Sequence, residues 1–140
     1  MTNSTTLPLD EGIEIITISK EEIMARRKGY LQREQDFFNY WKKGVEIAGY
    51  RYFGDGTKEN FEQATEKNQL SPVSAKIEAS FGLISDNEAA FLVAMYCFYN
   101  DFKGAELCVK AGVKSIGNLL GLDSNRREVM AGLLVTYCGW

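Results

Sequence analysis

The feature that most constrains the fold of this chain is an unbroken run of eleven apolar residues, residues 89–99. A bilayer-crossing helix needs about 20 such residues, so a run of this length predicts a helix buried in a protein core. Ser85 and Glu88 precede the run with the spacing of a capping box, which marks a helix start. Because the run has no polar face, we expect other helices to surround it on all sides.

Helix-boundary residues before and after this run predict what surrounds it. Pro72 suits the first position of a helix, Gly112 suits a helix end, and Asp123 or Ser124 suits the cap of a last helix. The chain is therefore predicted to be mainly α, a compact multi-helix bundle around a central apolar helix at about 86–99. Its neighbours are expected to begin near residues 72, 104 and 124.

The N-terminal half carries the longest amphipathic pattern in the sequence. Met24, Leu31, Phe38 and Val45 recur every seven residues, which predicts one amphipathic helix at about 20–48. At 1.5 Å per residue it would be about 43 Å long. Because a compact domain of this size is narrower than that, we expect part of the apolar stripe to cover another subunit.

A short β-branched run before this helix predicts a strand at about 13–18. A strand must pair its backbone groups, and the sequence leaves two partners open, a weak strand in the same chain or a copy in another chain. Residues 1–12 are rich in threonine, asparagine and serine and are predicted to be a flexible N-terminus. Residues 13–140 then form a single helical domain.

Composition restricts the partners and the compartment. The formal net charge is −3, and the basic residues are mixed with acidic ones, so binding to nucleic acid or to an anionic membrane is disfavoured. Three cysteines without a C-x-x-C spacing argue for a reducing compartment. The polar residues 1–10 lack the pattern of a signal peptide. We therefore expect a cytoplasmic protein.

Catalytic and metal-binding patterns are weak throughout. The chain has no histidine, the commonest general base and zinc ligand. Its best-placed carboxylates, Glu88 and Asp123, have capping positions that explain them. No catalytic residue, metal or cofactor is predicted. Residues 104–121 partly resemble a helix-turn-helix, but Lys110 and Lys114 are not accompanied by an arginine that reads bases.

Aromatic residues are the strongest candidate for a functional surface. Four of them lie within residues 37–41, and together they cover more than half of a helix circumference, so they cannot all face one core. The alternatives are packing under a loop, a subunit or partner interface, and a ligand pocket. With two strand residues, the candidate interface or pocket comprises Phe37, Tyr40, Trp41, Tyr50, Tyr52, Phe53, Ile13 and Ile15.

The function predicted from these features is a non-enzymatic protein-interaction or accessory/regulatory module that acts as a homodimer. The lone strand, the overlong helix and the surplus of aromatic residues motivate this prediction. One alternative is a small-ligand binder or enzyme with an aromatic pocket. A second alternative is helix-turn-helix-like binding of nucleic acid through residues 104–121.

Overall fold

The computed structural model describes residues 4–7 and 16–140, with side chains from residue 17 onward. In these residues six α-helices and one two-stranded sheet are joined by loops and short 3₁₀ helices. The sheet consists of β1 (Ser4–Leu7) and β2 (Ile16–Ser19). The helices are α1 (Lys20–Ala48), α2 (Lys58–Gln63), α3 (Ser74–Ser80), α4 (Asp86–Tyr99), α5 (Asp101–Ala111) and α6 (Ser124–Thr136).

The central helix is α4, as the apolar run predicts. The capping box forms, with the Glu88 amide donating to Ser85 Oγ (3.1 Å) and the Ser85 amide donating to Glu88 Oε1 (3.2 Å). Phe91, Val93 and Met95 are fully buried, and α4 packs against α1, α3, α5 and α6. The predicted mainly helical bundle around a central apolar helix is confirmed.

Helix α1 has the predicted bounds, but only its second half packs on the rest of the protein. Ser19 caps it by accepting a hydrogen bond from the Glu22 amide (3.1 Å). Phe37, Trp41 and Val45 are buried against the bundle, where α1 crosses α6 closely. No helix in the described part of the chain is both long and apolar enough to cross a membrane.

The first half of α1, residues 20–33, is exposed at every position, and we call it the arm. Its 14 residues correspond to about 21 Å of helix. Ile23, Met24, Tyr30 and Leu31 on the arm are 46–63% exposed. The apolar stripe of α1 therefore continues beyond the helix bundle, which covers only its second half.

The strand preceding α1 pairs within its own chain, which was one of the two alternatives. β1 and β2 are antiparallel, with Thr5 opposite Ile18 and Leu7 opposite Ile16. The described strand runs over residues 16–19, while Ile13 and Ile15 lie outside the described residues. β1 lies within the N-terminal segment 1–12 that the sequence assigns to a flexible terminus.

Two other boundaries differ from the sequence expectation. Helix α5 begins before the expected start near residue 104, because Asn100 Oδ1 accepts from the Lys103 amide (3.1 Å) and caps a helix that starts at Asp101. In residues 104–121, which partly resemble a helix-turn-helix, the segment after α5 forms only a 3₁₀ helix, Ile116–Leu119. A four-residue 3₁₀ helix is too short to act as the recognition helix of a helix-turn-helix.

Candidate functional site

Most of the predicted aromatic residues belong to the core. Phe37 and Trp41 are buried, and the Trp41 ring lies edge-on to Trp140 (4.8 Å between centroids) and to Phe53 (5.8 Å). The Trp41 indole donates to the Leu70 carbonyl (2.9 Å), which satisfies its polar atom. These side chains therefore stabilise the fold and leave no atom free for a ligand.

The loop after α1 supplies part of this packing. Tyr52 is also buried, and its carbonyl accepts from the Val73 amide (2.8 Å), while the Gly54 amide donates to the Ser71 carbonyl (2.8 Å). Phe53 forms a β-bridge with Pro72 in the same place. The Tyr50–Tyr52 3₁₀ helix is thus held against the start of α3.

The remaining two aromatic residues, Tyr40 and Tyr50, are at the surface and apart from the buried ones. The Tyr40 ring lies against Gly132 of α6 and lines a surface cavity of about 770 Å³. The Tyr50 ring stacks on Phe61 at 6.1 Å. Tyr52 lines two other, smaller cavities of about 40 and 350 Å³. The cavities that Tyr40 and Tyr52 line are therefore separate.

A partly buried ion pair holds α1 at the base of the arm. Lys67 is only 7% exposed, and its ammonium donates to Glu34 Oε1 (2.9 Å) and to the Gly139 carbonyl (2.7 Å). Burial alone would raise the pKa of Glu34, but hydrogen bonds from Lys67 and from the Cys138 thiol (3.1 Å) outweigh it and lower that pKa. This contact fixes α1 at residue 34, directly after the arm.

The apolar face of the arm has a cation at its centre. Ile23, Met24, Tyr30 and Leu31 stand four and three residues before Arg27 and three and four residues after it, so all four neighbour Arg27 on the helix surface. Residues 20–33 hold five basic and two acidic side chains. We call Arg27 and its four apolar neighbours the arm face.

A second exposed apolar surface lies on the bundle, between α4, α5, α6 and the Ile116–Leu119 3₁₀ helix. It is a groove of about 740 Å³. Asp101 and Lys114 are its charged lining residues, near opposite ends of α5. Its apolar lining includes Val93, Phe98, Val109, Val113, Met130 and Leu134. We call this surface the groove.

Two free cysteines, Cys97 and Cys108, also line the groove. Their sulfur atoms are 4.0 Å apart. Burial, together with the neighbouring Cys108, raises the pKa of Cys97 to about 12. Since the thiolate is the reactive form, Cys97 at neutral pH is a weak nucleophile and serves as an apolar lining residue.

Sequence reasoning found the arm stripe but missed the groove. Three of the apolar residues that line the groove are largely exposed, namely Val109, Ile116 and Leu134. The available signal was an excess of apolar residues on α5 and α6 beyond one helix face. Comparison of the chain with models of protein families, with curated proteins and with solved structures found no match.

Proposed function

We propose that this chain is a non-enzymatic protein-interaction module, accessory or regulatory in kind, that acts as a homodimer. The arm face is the observation that carries the proposal. It presents four apolar side chains, each roughly half exposed, on a helix that extends beyond its own bundle. An exposed apolar patch surrounded by charges is typical of a protein-interaction surface.

The free energy available from the arm is of the size that association requires. Burying the exposed part of one such side chain contributes about 1 kcal/mol, half of the value for a whole side chain. Four side chains on each of two arms then contribute about 8 kcal/mol. The cost of bringing two proteins together is roughly 4–15 kcal/mol. Contacts made by the rest of the interface would add to this contribution.

The two carboxylates considered for catalysis, Glu88 and Asp123, have structural roles instead. The lowered pKa of Glu88 comes from its hydrogen bond with the Ser85 backbone, and that of Asp123 from the Arg126 amide. Both carboxylates thus have structural partners at helix starts. The cysteines Cys97, Cys108 and Cys138 are all free, which supports a place in the reducing cytoplasm.

The test is the molar mass of the protein in solution, measured by size-exclusion chromatography with light scattering. The chain has a mass of 15.7 kDa, and we expect twice that mass at tens of micromolar protein. The double substitution Met24→Glu, Leu31→Glu introduces two charges on the arm face and is expected to give a monomer. A monomeric wild type would overturn the proposal.

A matched control separates loss of the interface from a general effect of charge. Ala25→Glu, Gln32→Glu adds the same two carboxylates with the same seven-residue spacing, one position along the helix. A rotation of 100° per residue takes these positions away from the arm face. The control is expected to remain dimeric, with an unchanged far-UV circular dichroism spectrum. Equal dissociation of both variants would count against the arm face.

A further inference from the structure

We propose that the groove of each copy holds the arm of the second copy, with Arg27 of the arm paired with Asp101 of the groove. This inference rests on the proposed homodimer and adds to it the surface that receives the arm face. Both surfaces are exposed in the single chain and largely apolar. Arg27 of the arm face and Asp101 of the groove have opposite charges, and the groove's other charged residue, Lys114, lies near the opposite end of α5.

The dimensions of the two surfaces agree. The apolar side chains of the arm face extend over residues 23–31, about 12 Å along the helix axis. Helix α5, which forms one wall of the groove, has 11 residues and is therefore about 16 Å long. A groove of about 740 Å³ has room for four side chains of this size. One helix can thus lie lengthwise between α5 and α6.

Charge favours contact between an arm and a bundle. The arm has five basic and two acidic residues, whereas residues 34–140 have 11 basic and 14 acidic ones. The arm of one copy is therefore attracted to the bundle of another, and two arms repel each other. This complementarity supports a second copy as the occupant of the groove.

Pairing of two arm faces with each other is less favourable. An antiparallel arrangement centred on Arg27 places Ile23 against Leu31 of the other copy. The same arrangement places each Arg27 against its symmetry mate, with Arg26 and Lys28 beside it. Like charges brought together in an apolar contact are strongly destabilising.

The groove offers Arg27 an anion instead. Asp101 is exposed at the start of α5, and within residues 17–140 no basic side chain lies within ion-pair distance of it. An arginine and a carboxylate that meet in an apolar surrounding form a strong, directional pair. Asp101 therefore suits the cation at the centre of the arm face.

The receiving groove belongs to a second copy because the arm is held away from its own bundle. The Lys67–Glu34 pair fixes α1 just after the arm, and the helix is continuous through Gly29. For an arm to reach its own groove, α1 would have to break. Two copies related by a two-fold axis exchange arms without breaking the helix, and both contacts are then identical.

Substitutions that reverse the charges of Arg27 and Asp101 test the contact. The dissociation constant of the dimer is the measured quantity. We expect Arg27→Glu to weaken the dimer about tenfold or more, and Asp101→Lys to do the same. The double variant Arg27→Glu, Asp101→Lys is expected to restore the dimer, because the pair is rebuilt with opposite polarity. Failure of the double variant to recover affinity would contradict the pairing.

A second pair of variants tests the groove itself. Leu134 lines the groove and is 68% exposed, whereas the adjacent Val135 is 80% exposed and lies outside its lining. Both positions tolerate a charge in the folded monomer because they face solvent. We expect Leu134→Glu to dissociate the dimer and Val135→Glu to leave it intact. Equal effects of the two substitutions would overturn the inference.

The outcomes distinguish this inference from the proposed function. A wild-type chain that stays monomeric overturns the homodimer and the inference together. A dimer that depends on Met24 and Leu31 but is unaffected by Asp101→Lys and Leu134→Glu keeps the proposed function and overturns the groove as the receiving surface. That result would indicate contact between the arms.

Discussion

Two glycines in α1 give opposite predictions for the same substitution. A Cβ built on Gly44 would lie 2.7 Å from Met95 Cε, closer than real Cβ atoms approach, and 3.0 Å from Val129 Cγ1, tighter than most real Cβ contacts. A Cβ on Gly29 would have no atom within 4 Å. The substitution to alanine therefore tests whether α1 crosses α4 and α6 as tightly as the structure shows.

The expected magnitudes follow from two competing effects. Alanine is favoured over glycine inside a helix by about 1 kcal/mol at either position. At Gly44 this gain is opposed by overpacking, which costs about 2–3 kcal/mol because both Met95 and Val129 are themselves fully buried. Gly44→Ala should therefore lower the free energy of unfolding by about 1–2 kcal/mol. For a chain of 140 residues that corresponds to a Tm lower by about 3–7 °C.

Gly29→Ala should act differently, because the arm makes few contacts with the bundle in the single chain. Its gain of about 1 kcal/mol stabilises the arm helix and is expected as increased ellipticity at 222 nm, with a Tm equal to or above that of wild type. Urea unfolding followed by circular dichroism measures both variants. A Gly44→Ala protein as stable as Gly29→Ala would refute the close crossing of α1 over α4.

Three further predictions concern the ion pair at the base of the arm and the groove thiol. Lys67→Met leaves the partly buried Glu34 without its cation and should lower the free energy of unfolding, measured in urea, by about 2 kcal/mol. The control Lys43→Met removes an exposed pair with Glu128 and should lower it by less than about 0.5 kcal/mol. The pKa of Glu34 is lowered in the fold, so its contribution to stability is present above the ordinary carboxyl pKa of 4.5 and is lost as the pH falls below it. Glu34→Gln should therefore reduce the dependence of the free energy of unfolding on pH between about pH 5 and 3. At pH 8 Cys97 should be alkylated by iodoacetamide more slowly in the folded protein than in urea, as measured by peptide mass spectrometry, and equal rates would contradict its raised pKa.

Local sequence signals were sufficient for the two main helices. The N-caps at Ser19 and Ser85 bond to residues three positions along the chain, and the apolar patterns that follow them lie within the same helix. Such signals depend on neighbours along the chain, so they need no knowledge of the fold. The predicted ends of α1 and α4 agree with the observed ones, although helix ends are usually the least certain feature.

Long-range contacts decided what the sequence left open. Phe37 and Trp41 are covered by Trp140, about 100 residues away in the chain, and Trp41 donates to Leu70. Nothing in the local pattern of residues 37–41 indicates these partners, so core, interface and pocket remained open for them. The groove was missed for the same reason, since a helix pattern does not reveal which apolar side chains a neighbouring helix leaves uncovered.

The position of Glu34 explains why the bundle covers only part of the apolar stripe on α1. One apolar stripe runs along the whole of α1, and the bundle covers it from Phe37 onward. Glu34 and Lys67 hold the helix at the point where that cover ends. An isolated helix of about 14 residues is marginally stable in water, but the arm extends from a turn that is already fixed, so its nucleation cost is removed. The stripe on the arm is thereby presented as a formed helix, and in the proposed homodimer the groove of the second copy covers it.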